Sequence, residues 1–214
     1  AGSDAGPDVG DRDEGDTVTW RELWVETTEL VGDRSRARWL CEVASGSVDG
    51  DEFLTRLDEA ATVRMVAHLD AMTARLRTGE PLQYVLGEWS FRRITLAVDR
   101  RVLIPRPETE LVADVALAKA SEVGPTRVVA DLGTGSGAIG LSLAHELPLD
   151  GTTVWITDAD VDALDVARAN IAGLGRAGVN VRVAHGSWFD ALPDDLHFDV
   201  IVSNCVVNLS PDKD

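Results

Sequence analysis

An α/β fold with a parallel sheet, preceded by a small helical bundle, is predicted by three observations. The second half of the chain alternates short apolar runs with amphipathic stretches, the pattern of strands joined by crossover helices. The first of those strands ends in Asp131-Leu132-Gly133-Thr134-Gly135-Ser136-Gly137, a glycine turn leading straight into a helical pattern. The first third shows only the 3.6-residue period, with tryptophans and leucines on one face of each segment.

Taken in order, residues 1–16 hold six acids (Asp4, Asp8, Asp11, Asp13, Glu14, Asp16) against Arg12 alone. Such a tail has no apolar face to bury and is expected to be disordered. Residues 17–78 form the helical domain. Thr19 is placed to cap a helix with Trp20, Leu23, Trp24, Thr27 and Leu30, and Glu22 completes a capping box. Helical patterns follow at 36–44, at 51–60 and at 62–77, where Val63, Val66, Leu69, Met72 and Leu76 recur at helix spacing. Core packing of a bundle accounts for these stripes.

Gly79-Glu80-Pro81 ends that pattern, and β-like pieces at 88–92, 94–98 and 102–104 read as a hairpin linker over 79–107. From 108 the α/β domain begins, with a helix to 121. Strands are expected at 127–131, 153–157, 180–184 and 198–203, and helices at 138–146 and 161–174, with helices on both faces of the sheet.

Composition narrows the function classes. Twenty basic against 37 acidic residues give a net charge of −17, which repels a phosphate backbone and argues against direct nucleic-acid binding. Cys41 and Cys205 are too few for a disulfide framework and fit a reducing cytoplasm. His68, His145, His185 and His197 lack metal-ligand spacing, so no metal is assigned. No basic-then-apolar segment opens the chain, and no apolar run is long enough to span a bilayer.

The glycine turn lets the backbone approach a ligand closely while the next helix offers its first amides. Asp158, at the end of the second strand and 21 residues past Gly137, can accept hydrogen bonds from both hydroxyls of a ribose. As an alternative, Asp158 is an acid at the start of the helix beginning at Val161. With Ala138 the turn also satisfies G-x-G-x-x-A, so methyl donor and dinucleotide remain open on these residues alone.

Several motifs in fixed order separate the two. They are Gly79 to Gly87 (GEPLQYVLG), Leu103 to Glu110 (LIPRPETE), Asp131 to Ile139 (DLGTGSGAI), Ser187-Trp188-Phe189, and Ile201-Val202-Ser203-Asn204. Together these resemble the bacterial release-factor glutamine methyltransferases, the PrmC/HemK family, over about Thr17 to Asn204. The resemblance implies a Rossmann-like S-adenosylmethionine-dependent methyltransferase domain over 108–214, C-terminally truncated, behind the helical domain and the hairpin. S-adenosyl-L-methionine is then the cofactor, with Gly133, Thr134, Gly135, Ser136 and Gly137 facing its methionine part. Asp158 would hold the ribose and Trp188 would pack on the adenine.

The implied reaction is methyl transfer to the side-chain amide nitrogen of glutamine in the Gly-Gly-Gln loop of a peptide-chain release factor. The enzyme would be a cytoplasmic monomer of translation termination. Asn204 is the implied catalytic residue and also borders the cofactor. In the family, its side-chain oxygen and the following Pro carbonyl accept hydrogen bonds from the substrate NH₂, in an Asn-Pro-Pro-Tyr motif. Here Cys205, Val206 and Val207 occupy the remaining substrate-binding positions. They restore backbone donors, loosen the turn and remove the tyrosine contact, so weak or absent amide methylation is expected. The family fold also needs three more strands, and eleven residues follow Ser203.

Other readings compete. A non-catalytic cofactor-binding fragment would keep the glycine turn and turn nothing over. The segment around Cys205 is similar to arsenite methyltransferases, where a soft thiolate binds the metalloid. DNA adenine methylation would need an aromatic after Asn204 to stack a flipped base. A dinucleotide dehydrogenase explains none of the other motifs.

Overall fold

The computed structural model describes residues 17–186 and 191–204; Ser187, Trp188, Phe189, Cys205, Val206 and Val207 lie outside them. Two compact units divide the chain between Leu82 and Gln83.

Each major helix of the first unit starts on a side chain that satisfies its open amides. Thr19 and Glu22 form the capping box of α1 (Trp20–Val31). Asp33 caps α2 (Arg34–Ser45), Asp49 caps α3 (Gly50–Thr55) and Thr62 caps α4 (Val63–Arg77). Trp20, Leu23, Leu40, Phe53 and Leu69 are fully buried, with Trp20 and Trp24 both edge-on to Phe53 at 6.1 Å. The α3 helix is shorter than its periodicity predicts. Beyond Arg56 the carbonyls of Leu57 and Glu59 instead accept the amides of Arg21 and Trp20, at 2.9 and 3.2 Å, and Ala60 bridges to Thr19. Those carbonyls complete the N-terminus of α1, which a continued α3 would leave unmet. Val63, expected on the core face of α4, is exposed.

A one-turn helix, α5 (Leu82–Leu86), spans the boundary between the units; the sequence pattern gave no sign of it. In the second unit, β1 (Glu88–Phe91) and β2 (Ile94–Ala97) pair as an antiparallel hairpin. The apolar piece at 102–104 is not a strand. The Val102 amide bonds back to Asp99 O, its carbonyl accepts the Tyr84 hydroxyl at 2.6 Å, and Pro105 and Pro107 deny it a ladder. Phe91, Ile94, Leu96, Val98 and Val102 belong to the same core as the sheet and its helices.

That sheet is parallel, in the order β5-β4-β3-β6, with β3 (Arg127–Leu132), β4 (Thr152–Asp158), β5 (Val181–His185) and β6 (Val200–Ser203). Among the described residues, α6 (Thr109–Glu122), α7 (Ala138–Glu146) and α8 (Val161–Gly173) share one core with Val129, Val154, Ile156 and Val202. Ala130 and Leu132 point the other way and meet Leu192, Trp155 and Phe198. The expected second helical face is thus absent among these residues. Right-handed crossovers β3-α7-β4-α8-β5 step in one direction, so they place both helices on one face. Leu192 and Phe198, both between β5 and β6 in the chain, meet the opposite face. Ile201 of β6, the outer strand among the described residues, is 46% exposed.

One arginine ties the hairpin to the helices. Arg92, in the hairpin turn at φ 53°, donates to Glu146 at 2.7 and 3.1 Å, to Asp114 at 2.5 Å and to Glu110 O at 3.2 Å. The Glu146 side chain is only 8% exposed, and the guanidinium holds its carboxyl below the usual range. Truncation to alanine would strand that carboxylate and, because alanine keeps the Cβ, would relieve none of the positive-φ strain. Arg92→Ala is expected to cost about 2–3 kcal/mol, read as a lower urea midpoint at unchanged slope. An unchanged midpoint would show that Arg93, at 3.7 Å from the same carboxylate, substitutes for it.

Candidate cofactor and methyl-transfer site

β3 lies between β4 and β6, so the direction of chain progression reverses on either side of it. The crevice beyond the carboxyl ends of such strands is where open α/β sheets bind ligands. Both halves of the predicted site fall there. Gly133 follows the last residue of β3, and Asn204 the last residue of β6. Leu132 and Ser203 are register partners, joined also by the Ser203 hydroxyl donating to Leu132 O at 3.1 Å.

The glycine turn is held from beneath. Thr157 O, on β4, accepts the amides of Gly133 and Thr134 at 2.9 and 2.8 Å. Gly133, Gly135 and Gly137 adopt φ of 72°, 55° and 89°, conformations costly for any residue with a Cβ. A Cβ at Gly135 would meet nothing within 4 Å, so this backbone borders open space. Helix α7 is capped by Gly137, which has no side chain to offer, so its open amides must find partners elsewhere.

Asp158 closes the turn from the next strand. One carboxylate oxygen accepts the Gly135 amide at 2.9 Å and the other the Asp160 amide at 3.0 Å. The N-cap of α8 is Asp160, which accepts from Asp162 N, so the helix-start alternative for Asp158 does not hold. Each oxygen of Asp158 keeps further acceptor capacity for hydroxyl donors.

Beneath these residues lies Asp131, a turn-motif residue that no local signal marks for a role. It is 2% exposed, and one oxygen accepts both the Thr134 hydroxyl at 2.7 Å and the Gly140 amide at 2.9 Å. Burial pushes its carboxyl up to about 6, and the Asp158 charge adds to the rise, against the two hydrogen bonds. The native state therefore holds this proton more tightly than the unfolded chain. Stability from this group grows as pH falls through 6 toward the ordinary aspartate value, and is absent above about pH 7. Relative to Asp131→Asn, the unfolding free energy of the unmodified protein is expected to rise by about 1 kcal/mol between pH 7.5 and 5.0. Glu146 and Asp99, held low by their arginines, lose their contributions only at more acid pH. Parallel urea titrations of both proteins test this; a pH-independent difference would mean that Asp131 titrates normally.

Asn204 donates through Nδ2 to the Thr109 hydroxyl at 3.3 Å, which leaves its Oδ1 as the side-chain acceptor. Thr109 opens α6 directly after Pro105-Arg106-Pro107-Glu108, so this loop lies beside Asn204. The sequence reading missed Thr109 as a partner. It missed Asn170 too, although an amide on the otherwise apolar stripe Ala163, Ala167 was a visible signal. The fold brings together Gly133, Thr134, Gly135, Ser136, Gly137 and Asp158, with Asn204 one strand over. Trp188, Cys205, Val206 and Val207 fall outside the described residues. Among those described, no cluster of three or more His, Cys, Asp or Glu could hold a metal ion, and no helix is long and apolar enough to cross a membrane. Cys41 is buried in the first unit, and burial pushes its thiol up to about 12.

A glycine cradle at the switch point and a carboxylate at the end of the adjacent strand suit a nucleotide-like cofactor, and comparison with known families identifies the class as S-adenosylmethionine-dependent methyltransferase. Residues 125–214 accordingly match the family described as "Methyltransferase domain", and residues 29–87 match "PrmC N-terminal domain". The chain belongs to the release factor glutamine methyltransferase (PrmC/HemK) family. It is 44% identical over 190 residues to the "Release factor glutamine methyltransferase" of Gloeobacter violaceus, covering 86% of this chain and 63% of that relative. Its namesakes from Neisseria gonorrhoeae and Caulobacter vibrioides are 41% and 38% identical, over 72% and 88% of this chain. The chain spans 54% and 65% of those two relatives.

Proposed function

We propose that this chain carries the cofactor-binding and amide-orienting part of a glutamine N-methyltransferase acting on the Gly-Gly-Gln loop of a peptide-chain release factor. The observation that carries this reading is the adjacency of Asn204 to the glycine turn, across the Leu132–Ser203 pair. Gly133 to Gly137 and the first amides of α7 would receive the methionine part of S-adenosylmethionine, and Asp158 its ribose hydroxyls. When bound, the cofactor supplies an electrophilic methyl group. The chain's contribution is orientation. Thr109 engages the Asn204 NH₂, and Oδ1 would serve as the acceptor for the substrate amide, whose nitrogen lone pair localises as it pyramidalises. Trp188 would stack on the adenine. Net charge −17 and two cysteines support a cytoplasmic protein that meets a protein substrate rather than nucleic acid, and we place it as a monomer.

Cys205-Val206-Val207, standing where the family carries Pro-Pro-Tyr, favours a second reading, a cofactor-binding chain without turnover. Calorimetry with S-adenosylhomocysteine, followed by transfer of labelled methyl to a Gly-Gly-Gln peptide, separates the two. Micromolar binding with transfer supports the enzyme; binding without transfer supports the second reading. Asp158→Ala is expected to weaken binding about tenfold or more, since two hydroxyl bonds to a charged acceptor are lost. Undiminished affinity would remove Asp158 from the site.

A further inference from the structure

Asn170 sits on the buried face of α8 and is 6% exposed. Its Oδ1 accepts the Ala97 amide at 2.7 Å, while Nδ2 donates to Ala97 O at 3.1 Å and to Ser136 O at 2.8 Å. Both of its N–H bonds are committed and its oxygen is engaged. The first two bonds treat Ala97, the last residue of β2, as a neighbouring strand would, satisfying its N–H and C=O together. The third reaches into the glycine turn. One amide therefore joins the hairpin to the loop that faces the cofactor.

The Ser136–Gly137 peptide plane is where this matters. Its carbonyl is taken by Asn170, and its N–H, on Gly137, donates to Thr134 O at 2.9 Å. Gly137 sits at φ 89° and imposes little resistance of its own to a rotated plane. The two hydrogen bonds hold the plane, and the one from Asn170 comes from outside the turn. Without it, the Ser136 carbonyl loses its partner at a buried position and the plane can turn.

We infer that Asn170 is a positioning residue: it holds the glycine turn in the shape that receives the cofactor and couples the order of the β1–β2 hairpin to cofactor affinity. The inference rests on the reading of that turn as the S-adenosylmethionine site. Coupling of this kind is reciprocal. A cofactor that stabilises the turn stabilises the hairpin strand through Asn170, and a loosened hairpin lowers affinity.

The test uses the full chain and two variants. Asn170→Asp keeps the shape and the acceptor for Ala97 N but loses both donated bonds and sets a carboxylate against two carbonyls. Asn170→Ala removes all three bonds. Amide hydrogen exchange in the free protein is expected to quicken at Gly137 in both. Calorimetry with S-adenosylhomocysteine is expected to show affinity lowered about tenfold or more. In the unmodified chain, saturating S-adenosylhomocysteine should slow exchange at Ala97 as well as at Gly137; in Asn170→Ala the slowing at Ala97 should vanish. Variants that are folded by circular dichroism, with unchanged affinity and unchanged Gly137 exchange, would overturn the inference. So would an unmodified chain in which the ligand slows Gly137 and leaves Ala97 untouched, a result that needs no folded variant. An unmodified chain that does not bind S-adenosylhomocysteine sinks the cofactor reading instead; Gly137 exchange in the free variants then still decides whether Asn170 holds the turn.

Discussion

Gly140→Ala is expected to destabilise the second unit by about 2 kcal/mol and to weaken S-adenosylhomocysteine binding with it. A Cβ at this position would lie 2.5 Å from Ile156 Cγ2 and 3.1 Å from Asp131 Oδ2. The first of these is a branch on a strand side chain that is completely buried, with no flexible end to swing aside. Helix α7 must therefore move off the sheet. It carries the Gly140 amide away from Asp131, whose carboxyl would be left with the Thr134 hydroxyl alone. Alanine's better helix propensity returns about 1 kcal/mol and does not offset the clash together with the stranded carboxylate. Gly137→Ala makes a useful comparison. Its added Cβ meets the equally buried Leu141, 2.6 Å from Cδ1 and 2.8 Å from Cγ, so its cost combines overpacking with the positive φ. Urea unfolding and calorimetry on both variants distinguish the two causes. Should Gly140→Ala match the unmodified protein in both assays, close packing of α7 on β4 is not what shapes the turn.

Raising KCl from about 0.05 M to 1 M, which shortens the screening length from more than 10 Å to about 3 Å, is expected to raise the thermal midpoint by several degrees. Two opposing terms decide the sign. Exposed pairs such as Arg21–Asp58 and Lys119–Glu122 weaken in salt, but each contributes only about 0.2–1 kcal/mol. Against them stands the self-repulsion of a chain with 37 acids and 20 basic residues, whose lysines are Lys119 and Lys213 alone. With so large an imbalance, relief of repulsion wins. Equal ionic strengths of KCl and Na₂SO₄ should show a shared screening response at low concentration, with sulfate adding further stabilisation at higher concentration. A midpoint that falls with KCl would show that the ion pairs dominate.

Local signals in the sequence were enough for much of this molecule. The Thr19–Glu22 box, the apolar runs of β3 and β4 and the DLGTGSG turn each carry their own physics within a few residues, and each forms where expected. The glycine turn and Asn204 were legible as motifs, while their proximity came from the pairing of β6 with β3. The end of α3 was not legible, since it depends on carbonyls that α1 needs from a distant segment. Nor was the fate of residues 102–104, whose apolar side chains suit a strand while the flanking prolines and the Tyr84 hydroxyl bind the backbone otherwise.

What the sequence determined by itself was the order of elements, the parallel sheet, the glycine turn and the family, since all of these rest on neighbours in the chain or on motif order. What only the tertiary structure decided was which polar groups serve that turn. Asp131 under Gly140, Asn170 between Ala97 and Ser136, and Thr109 behind Asn204 are hydrogen bonds linking residues 9, 73, 34 and 95 positions apart. No periodicity encodes such partners. They arise because a buried polar group must find a partner wherever the packed backbone happens to bring one.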